Sequence, residues 1–254
     1  MHIGKGIEML ELTVQVMGGS DSIYPTLLWD ENSAVLVDTG YPGLLDNFKN
    51  AFAKANIPWS KLSTIIITHQ DLDHIGSLPS ILSDGTSELT VLAHEIEKPY
   101  IQGDKMLLKH TPEALAAAEA MIPSHVPEEW RRKFLSVLSH PPKGRVDKSI
   151  GDGEQLPFAY GITVIHTPGH SPGHLSLYHQ ESQTLIAGDS LTVRNGELYG
   201  PDIRATPDMK TALNSLAQYA PYEIKNVICY HGGLYQGNIK QRIAELVNGV
   251  NTAG

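Results

Sequence analysis

An α/β fold with helices outside its sheets is the class this sequence predicts, and two observations predict it. Short apolar runs of the buried-strand kind recur at 64–67, 89–93, 162–165, 175–178, 184–187 and 227–230. Helical spacing occupies much of the intervening chain, at 42–55, 111–121, 126–138, 207–219 and 235–249. Strand and helix alternate at both ends, as they do where helices cover sheets. A chain of 254 residues can bury a sizeable core, as one large domain or two small ones.

Taken in order, residues 7–17 and 23–38 read as strands. Ile7 to Val14 is rich in β-formers, and Ala34-Val35-Leu36-Val37 is a short buried-type run. Gly18-Gly19-Ser20 and Asp30-Glu31-Asn32 read as the turns between them. Pro42 stands where a first helical turn would begin, and Leu44, Leu45, Phe48, Phe52 and Ala55 follow at helical spacing until Pro58 ends the helix. The apolar strand Thr64-Ile65-Ile66-Ile67 then runs straight into Thr68-His69. Residues 103–143 differ from the rest: Ala-rich, helical, and broken by Pro112, Pro123, Pro127, Pro141 and Pro142. They read as a helical excursion from the sheet core, a candidate lid. Its Met106, Leu107, Leu108, Leu115, Met121, Trp130, Phe134 and Leu138 either pack or hold an apolar part of a substrate.

Composition narrows the function classes. The net charge of −9 comes with scattered basic residues, and the densest run, Arg131-Arg132-Lys133, lies on a predicted helix as solvated surface. Nucleic acid is therefore not the expected partner. The one cysteine, Cys229, excludes an intrachain disulfide, fits a reducing compartment and reads as a buried strand thiol. The N-terminus shows no basic segment followed by an apolar one, and no apolar run approaches the ~20 residues that span a bilayer. The expectation is a soluble cytoplasmic protein with no membrane partner.

The chemistry lies at strand ends. Thr68-His69-Gln70-Asp71-Leu72-Asp73-His74-Ile75-Gly76 places four ligand-type side chains within six residues, directly after an apolar strand. Imidazoles together with carboxylates suit zinc, iron or manganese better than calcium or copper(I). An N-cap role would account for Asp71 or Asp73, but not for two histidines and two aspartates together. His170 follows another apolar strand, in Thr167-Pro168-Gly169-His170-Ser171-Pro172-Gly173-His174, where glycine and proline fix the loop. Asp189 closes Ile186-Ala187-Gly188-Asp189, and His231 closes the last strand before Gly232-Gly233. A metal site on His69, Asp71, Asp73, His74, His170, Asp189 and His231 is the reading. His174 is expected to orient the ligand loop by hydrogen bonding. His94 either lines the pocket or caps and packs, and Tyr199 either contacts the substrate or packs in its loop. His2, His110, His125, His140, His166 and His179 read as structural or surface residues.

These four ordered motifs resemble the metallo-β-lactamase superfamily. Its motif T-H-x-H-x-D-H is matched from Thr68 to His74, with Asp71 standing where the second histidine usually is. The later family ligands correspond to His170, Asp189 and His231, so the likeness covers roughly residues 8–245 and leaves 103–143 outside. The resemblance implies a four-layer αβ/βα sandwich, a single domain over 1–254 with a helical insertion near 103–143. It also implies two divalent ions. His69, Asp71 and His170 would hold the first, Asp73, His74 and His231 the second, and Asp189 would bridge them. Such a pair supplies hydroxide near neutral pH, and Asp73 could pass a proton to the leaving group. Zinc is the expected metal, with manganese or iron(II) favoured more at the Asp71 position because a carboxylate is harder than imidazole.

Three functions fit that site. The first is hydrolysis of an ester-like bond, lactone or thioester, in a small molecule, as in the superfamily's lactonases and glyoxalase II-like thioesterases. The second is a diiron redox centre related to flavodiiron cores, which carry a glutamate at the position of Asp71. The third is a non-catalytic metal-binding member.

Overall fold

The computed structural model describes residues 1–16, 19–84 and 88–249. In chain order the elements are β1 (His2–Gly4), β2 (Ile7–Met9), β3 (Leu12–Val16), β4 (Gly19–Ile23), β5 (Thr26–Trp29), β6 (Ala34–Val37), α1 (Leu45–Lys54), β7 (Leu62–Ile66), α2 (Leu72–Ile75) and α3 (Leu78–Ser83). There follow β8 (Thr90–Ala93), α4 (Lys98–Ile101), α5 (Pro112–Met121), α6 (Glu128–Ser139), β9 (Lys148–Ser149), β10 (Gln155–Leu156), β11 (Ile162–His166), β12 (Leu175–His179) and β13 (Thr184–Gly188). The chain closes with β14 (Thr192–Arg194), β15 (Glu197–Tyr199), α7 (Met209–Ser215), β16 (Asn226–Cys229), β17 (Gly233–Tyr235) and α8 (Ile239–Val247).

Two mixed sheets form, ordered β1-β2-β5-β6-β7-β8-β9 and β10-β11-β12-β13-β16-β17. In the first, β6, β7, β8 and β9 run parallel, so the C-terminal ends of β6, β7 and β8 share one edge. In the second, β13 and β16 are parallel neighbours and end together.

The apolar runs exist because these strands are buried on both faces. Val35, Val37 and Ile66 point to the inter-sheet core, where they meet Val164, Leu177, Ile186 and Ile228 of the second sheet. Leu36, Ile65 and Ile67 point the other way, onto Phe48 and Phe52 of α1 and Ile81 of α3. Leu185, Val227 and Cys229 pack likewise on Leu216, Tyr219, Ile239 and Ile243. Helix, sheet, sheet and helix make the four layers. Among the described residues no helix is long and apolar enough to cross a membrane.

Several elements differ from the sequence reading. The strand expected over 7–17 divides into β2 of the first sheet and β3 of a separate hairpin, and the helix expected from Pro42 begins at Leu45. Gly19 and Ser20 belong to a strand, not a turn, because Gln15 and Val16 pair with Ser20 and Gly19 across the β3–β4 hairpin. The ends of the expected strand and turn at 17 and 18 lie outside the described residues. Helix 235–249 starts only at Ile239, because β17 pairs with β16 (Val227 with Tyr235), and Asn238 caps the helix by accepting from the Gln241 N–H at 3.3 Å.

Between β8 and β9 the chain leaves the sheet as α4, α5 and α6. Thr111 caps α5 by accepting from the Ala114 N–H at 3.2 Å, with Pro112 in its first turn. Neither α5 nor α6 fully buries a residue. Leu107 joins the core and Trp130 stacks on Phe134 at 5.0 Å, while Met106, Leu108 and Met121 are exposed.

Candidate metal centre

The strand ends deliver the site. After β7 the chain turns through Thr68–Asp71 into the single-turn helix α2, which carries Asp73 and His74. Asp71 holds the N-cap position of α2 yet makes no capping bond. Instead its Oδ2 stands 3.3 Å from His69 Nε2 and 3.1 Å from His170 Nε2. The loop after β11 brings in His170, and Asp189 and His231 follow β13 and β16. Ligand-type atoms of His69, His170 and Asp189 lie within 4.8 Å of one another, and so do those of Asp73, His74 and His231. Asp189 faces both groups, with Oδ1 3.4 Å from His74 Nε2 and Oδ2 3.4 Å from His170 Nε2 and 3.5 Å from His231 Nε2. Asp73 Oδ2 lies 3.1 Å from His231 Nε2.

Unpaired atoms show whether this donor set fits a metal. His69 Nε2, His74 Nε2 and Asp189 Oδ1 are buried with no hydrogen-bond partner. Buried polar atoms are nearly always paired, and leaving one unpaired costs about 1–3 kcal/mol. Three such atoms at one point fit divalent cations ligated by imidazole and carboxylate.

Charge is arranged to the same end. Burial pushes the carboxyls of Asp71, Asp73 and Asp189 up, but the surrounding imidazoles outweigh it and hold all three below the usual range, Asp71 and Asp189 well below. Burial pulls His74 down, yet Asp38, Asp189 and Asp73 raise it well above its ordinary value. His231 is likewise pulled down by burial and pushed up further by Asp189 and Asp73, to about 11. The carboxylates thus favour positive charge at this spot.

A second set of residues holds the ligands in place. His174 Nε2 accepts from the Asp189 N–H at 3.0 Å, so its Nδ1–H donates to Thr167 Oγ1 at 2.8 Å. Burial, with His69 and His170 nearby, keeps its pKa well down, in keeping with a neutral ring. Gly188 lets it approach: a Cβ there would stand 2.7 Å from His174 Nε2, and φ is +54°.

Asp38, at the end of β6, was missed in the sequence. Its Oδ2 lies 2.9 Å from His74 Nδ1 and accepts from Thr68 Oγ1 at 2.8 Å, while Oδ1 accepts from the Thr68 N–H at 2.8 Å. An acid closing an apolar strand is the same signal that marked Asp189. Glu97 was missed too. Fully buried, it accepts from Gln70 N at 3.0 Å and Gln70 Nε2 at 2.8 Å on one oxygen, and from Ser171 Oγ at 2.8 Å and Gly173 N at 2.7 Å on the other. It clamps the two ligand loops together, and nothing in its polar surroundings in the sequence singled it out. Lys109, in the helical excursion, donates to Asp71 Oδ2 and, at 2.8 Å, to His170 Nε2.

The two expected substrate contacts have other partners. His94 stacks on His166 at 4.5 Å, and its Nδ1 accepts from the Ile96 N–H at 3.2 Å, a capping part. Tyr199 lies in β15 with the Arg194 and Arg242 guanidinium groups 5.5 and 5.4 Å from its ring centre. A cavity of 220 Å³ opens beside the site, lined by Asp189, Thr192, Val193, Arg194, Asp202, Ala205, His231 and Gly232.

Sandwich and site together define an αβ/βα protein with a candidate two-metal centre. The metallo-beta-lactamase superfamily pattern matches residues 18–231, and the chain belongs to that superfamily. It is 28% identical over 253 residues to the probable metallo-hydrolase YflN of Bacillus subtilis (strain 168), covering 93% of this chain and 89% of the relative. Hydroxyacylglutathione hydrolase GloC of Haemophilus influenzae is 24% identical over 168 residues, 65% of each chain. The crystal structure of a metallo-beta-lactamase family protein from Thermus thermophilus shares the fold, with a TM-score of 0.67 at 24% identity over 98% of this chain and 80% of its own.

Proposed function

We propose that the protein hydrolyses an ester-like bond, a lactone or a thioester, of a small molecule at a centre of two divalent ions, zinc first and manganese or iron(II) as alternatives. The observation that carries this reading is the convergence of three unpaired buried donor atoms on a point beside a substrate-sized opening. His69 and His170 would hold one ion and Asp73, His74 and His231 the other, with Asp189 between them and Asp71 beside the first. When bound, such ions lower the pKa of water and polarise a scissile carbonyl.

The remaining work falls to the chain. Asp38 and His174 fix the rings and the carboxylate that face the ions, and Glu97 holds the two loops at their spacing. Asp73, whose Oδ2 lies 3.1 Å from His231 Nε2, would take the proton released by the attacking water and pass it to the leaving oxygen or sulfur. At 220 Å³ the cavity is below the ~300–1,000 Å³ usual for drug-sized ligands, which supports a small acyl or ring substrate. The relative from H. influenzae is by its name a hydroxyacylglutathione hydrolase, which supports the thioester arm. The net charge of −9 supports a small molecule over nucleic acid as partner.

The test is a lactone and thioester screen on protein of known metal content, before and after chelation. Turnover that is lost on chelation, restored by zinc or manganese, and abolished with most of the bound metal in Asp189→Ala is the expected result. Full activity in the metal-free protein or in Asp189→Ala would refute it. Two irons per chain with visible absorbance and no hydrolysis would move the reading to redox chemistry.

A further inference from the structure

The two halves of the centre differ in one respect that the ligand motifs do not reveal. Both halves keep an unpartnered ring nitrogen, His69 Nε2 in one and His74 Nε2 in the other, but on the Asp73–His74–His231 side the carboxylate of Asp73 faces imidazoles alone among the described residues. On the other side a cation of the chain is already present. The ammonium of Lys109 donates to Asp71 Oδ2 and to His170 Nε2, the latter at 2.8 Å. An ammonium has no lone pair, so the contact with His170 is a hydrogen bond only if Nε2 accepts. The other ring nitrogen fits this, since His170 Nδ1 lies 3.1 Å from Thr206 Oγ1 and can donate to it. In that tautomer Lys109 uses the lone pair that His170 would offer a metal; in the other, Nε2–H donates to Asp71 Oδ2 at 3.1 Å and the ammonium still stands 2.8 Å from the ligand nitrogen, so its charge opposes a cation there either way.

The lysine is held there by the fold. Leu108, next to it, donates its N–H to Gln70 Oε1 at 2.7 Å, and Gln70 belongs to the same ligand loop as His69 and Asp71. Lys109 is about three-quarters buried, with its side chain 24% exposed. The position of Asp71 gains a physical reason. A carboxylate, unlike the imidazole usual in that motif position, forms an ion pair with an ammonium.

We infer that Lys109 is a resident cation that competes with the metal for the His69–His170 half, so that the protein binds one divalent ion tightly and the second weakly. The inference rests on the metal-centre reading above. Like charges sharing one carboxylate repel, and the His170 lone pair serves either Lys109 or the ion. The Asp73–His74–His231 half, where Lys109 makes no contact, is the tight one.

Calorimetric titration of the full-length metal-free chain with Zn²⁺ tests this, alongside Lys109→Met and Lys109→Gln, each checked for folding by its melting curve. Wild type should show one tight site and a second at least tenfold weaker. Both variants should strengthen the weak site by tenfold or more and leave the tight one unchanged. With Mn²⁺ at one equivalent, wild type should give the six-line resonance of an isolated ion; at two equivalents the variants should show exchange-coupled pairs. Equal sites in wild type, or a second-site affinity unmoved in both variants, would overturn the inference and leave the hydrolase reading standing. No metal bound by any of the three proteins would overturn both.

Discussion

Replacing Glu97 by glutamine should loosen the metal centre without touching a ligand. Its two oxygens accept four hydrogen bonds from the loops that carry His69 and His170. An amide can replace only one oxygen with a donor. The Oε1 side is the cheaper place for it, because Ser171 can turn its hydroxyl to accept, but the Gly173 N–H is then left buried and unpaired. That costs about 1–3 kcal/mol, and the three remaining bonds lose their charged acceptor, so the total is about 2–4 kcal/mol. In a chain of this size each kcal/mol moves the melting temperature by about 2–4 °C, so a drop of about 5–15 °C is expected. Metal affinity should fall about 10–100-fold, as when other orienting partners are removed. Thermal melting of the metal-free protein and calorimetry with zinc measure the two effects separately. Gly173→Ala should act in the same direction, because its Cβ would stand 2.9 Å from Glu97 Oε1 and 2.8 Å from Glu97 Cγ. Glu95→Gln, at an exposed position two residues away, should stay within about 0.5 kcal/mol of wild type. If Glu97→Gln melts within a degree of wild type and binds zinc as tightly, the clamp is not what spaces the two loops.

Three further perturbations follow from the same geometry. Asp38→Asn should keep the fold, since asparagine tolerates the φ of +65° found there, yet weaken the tight metal site about 10–100-fold by calorimetry; an unchanged affinity would mean His74 needs no orienting carboxylate. In the metal-free protein His231 titrates near 11, above the ~6.5 of an unfolded chain. Its contribution to stability is therefore fully present below about pH 6.5 and is lost as pH rises toward 11. The melting-temperature gap between wild type and His231→Gln should narrow from pH 7 to pH 10, and a constant gap would contradict the arrangement. Cys229 is buried, and burial, with Asp189 nearby, pushes its thiol well above the ordinary range. It should resist alkylation in the native protein and react only on unfolding; rapid native labelling would show that the strand is not packed.

What could be read from the sequence was what depends on short range. Ile65, Ile66 and Ile67 face alternate cores, so a strand buried on both sides left an uninterrupted apolar run, and the ligands stood out because they follow such runs directly. Gly19 and Ser20 read as a turn because glycine and serine signal turns locally, whereas cross-strand pairing with Val16 and Gln15 decides their state. Tyr235 fell to β17 by the same rule, taken from a helical pattern by its pairing with Val227.

The residues that escaped reading are those whose meaning lies in a distant partner. Lys109 reaches Asp71 across 38 positions, and Glu97 reaches Gly173 across 76. A lysine in an alanine-rich stretch and a glutamate in a polar turn look like solvated surface until the fold buries them. Asp71 shows how far this changes an interpretation. Taken alone, a carboxylate in place of an imidazole suggests a change of metal. Beside Lys109 it also forms an ion pair, and the same substitution then bears on how many ions the centre holds. A test of metal preference through Asp71→His alone would confound the two effects, because the variant also leaves the ammonium of Lys109 without its counter-charge. The double variant Asp71→His with Lys109→Met separates them. A zinc preference present in both the single and double variants comes from the ligand, while a second tight ion that appears only in the double variant comes from removing the lysine.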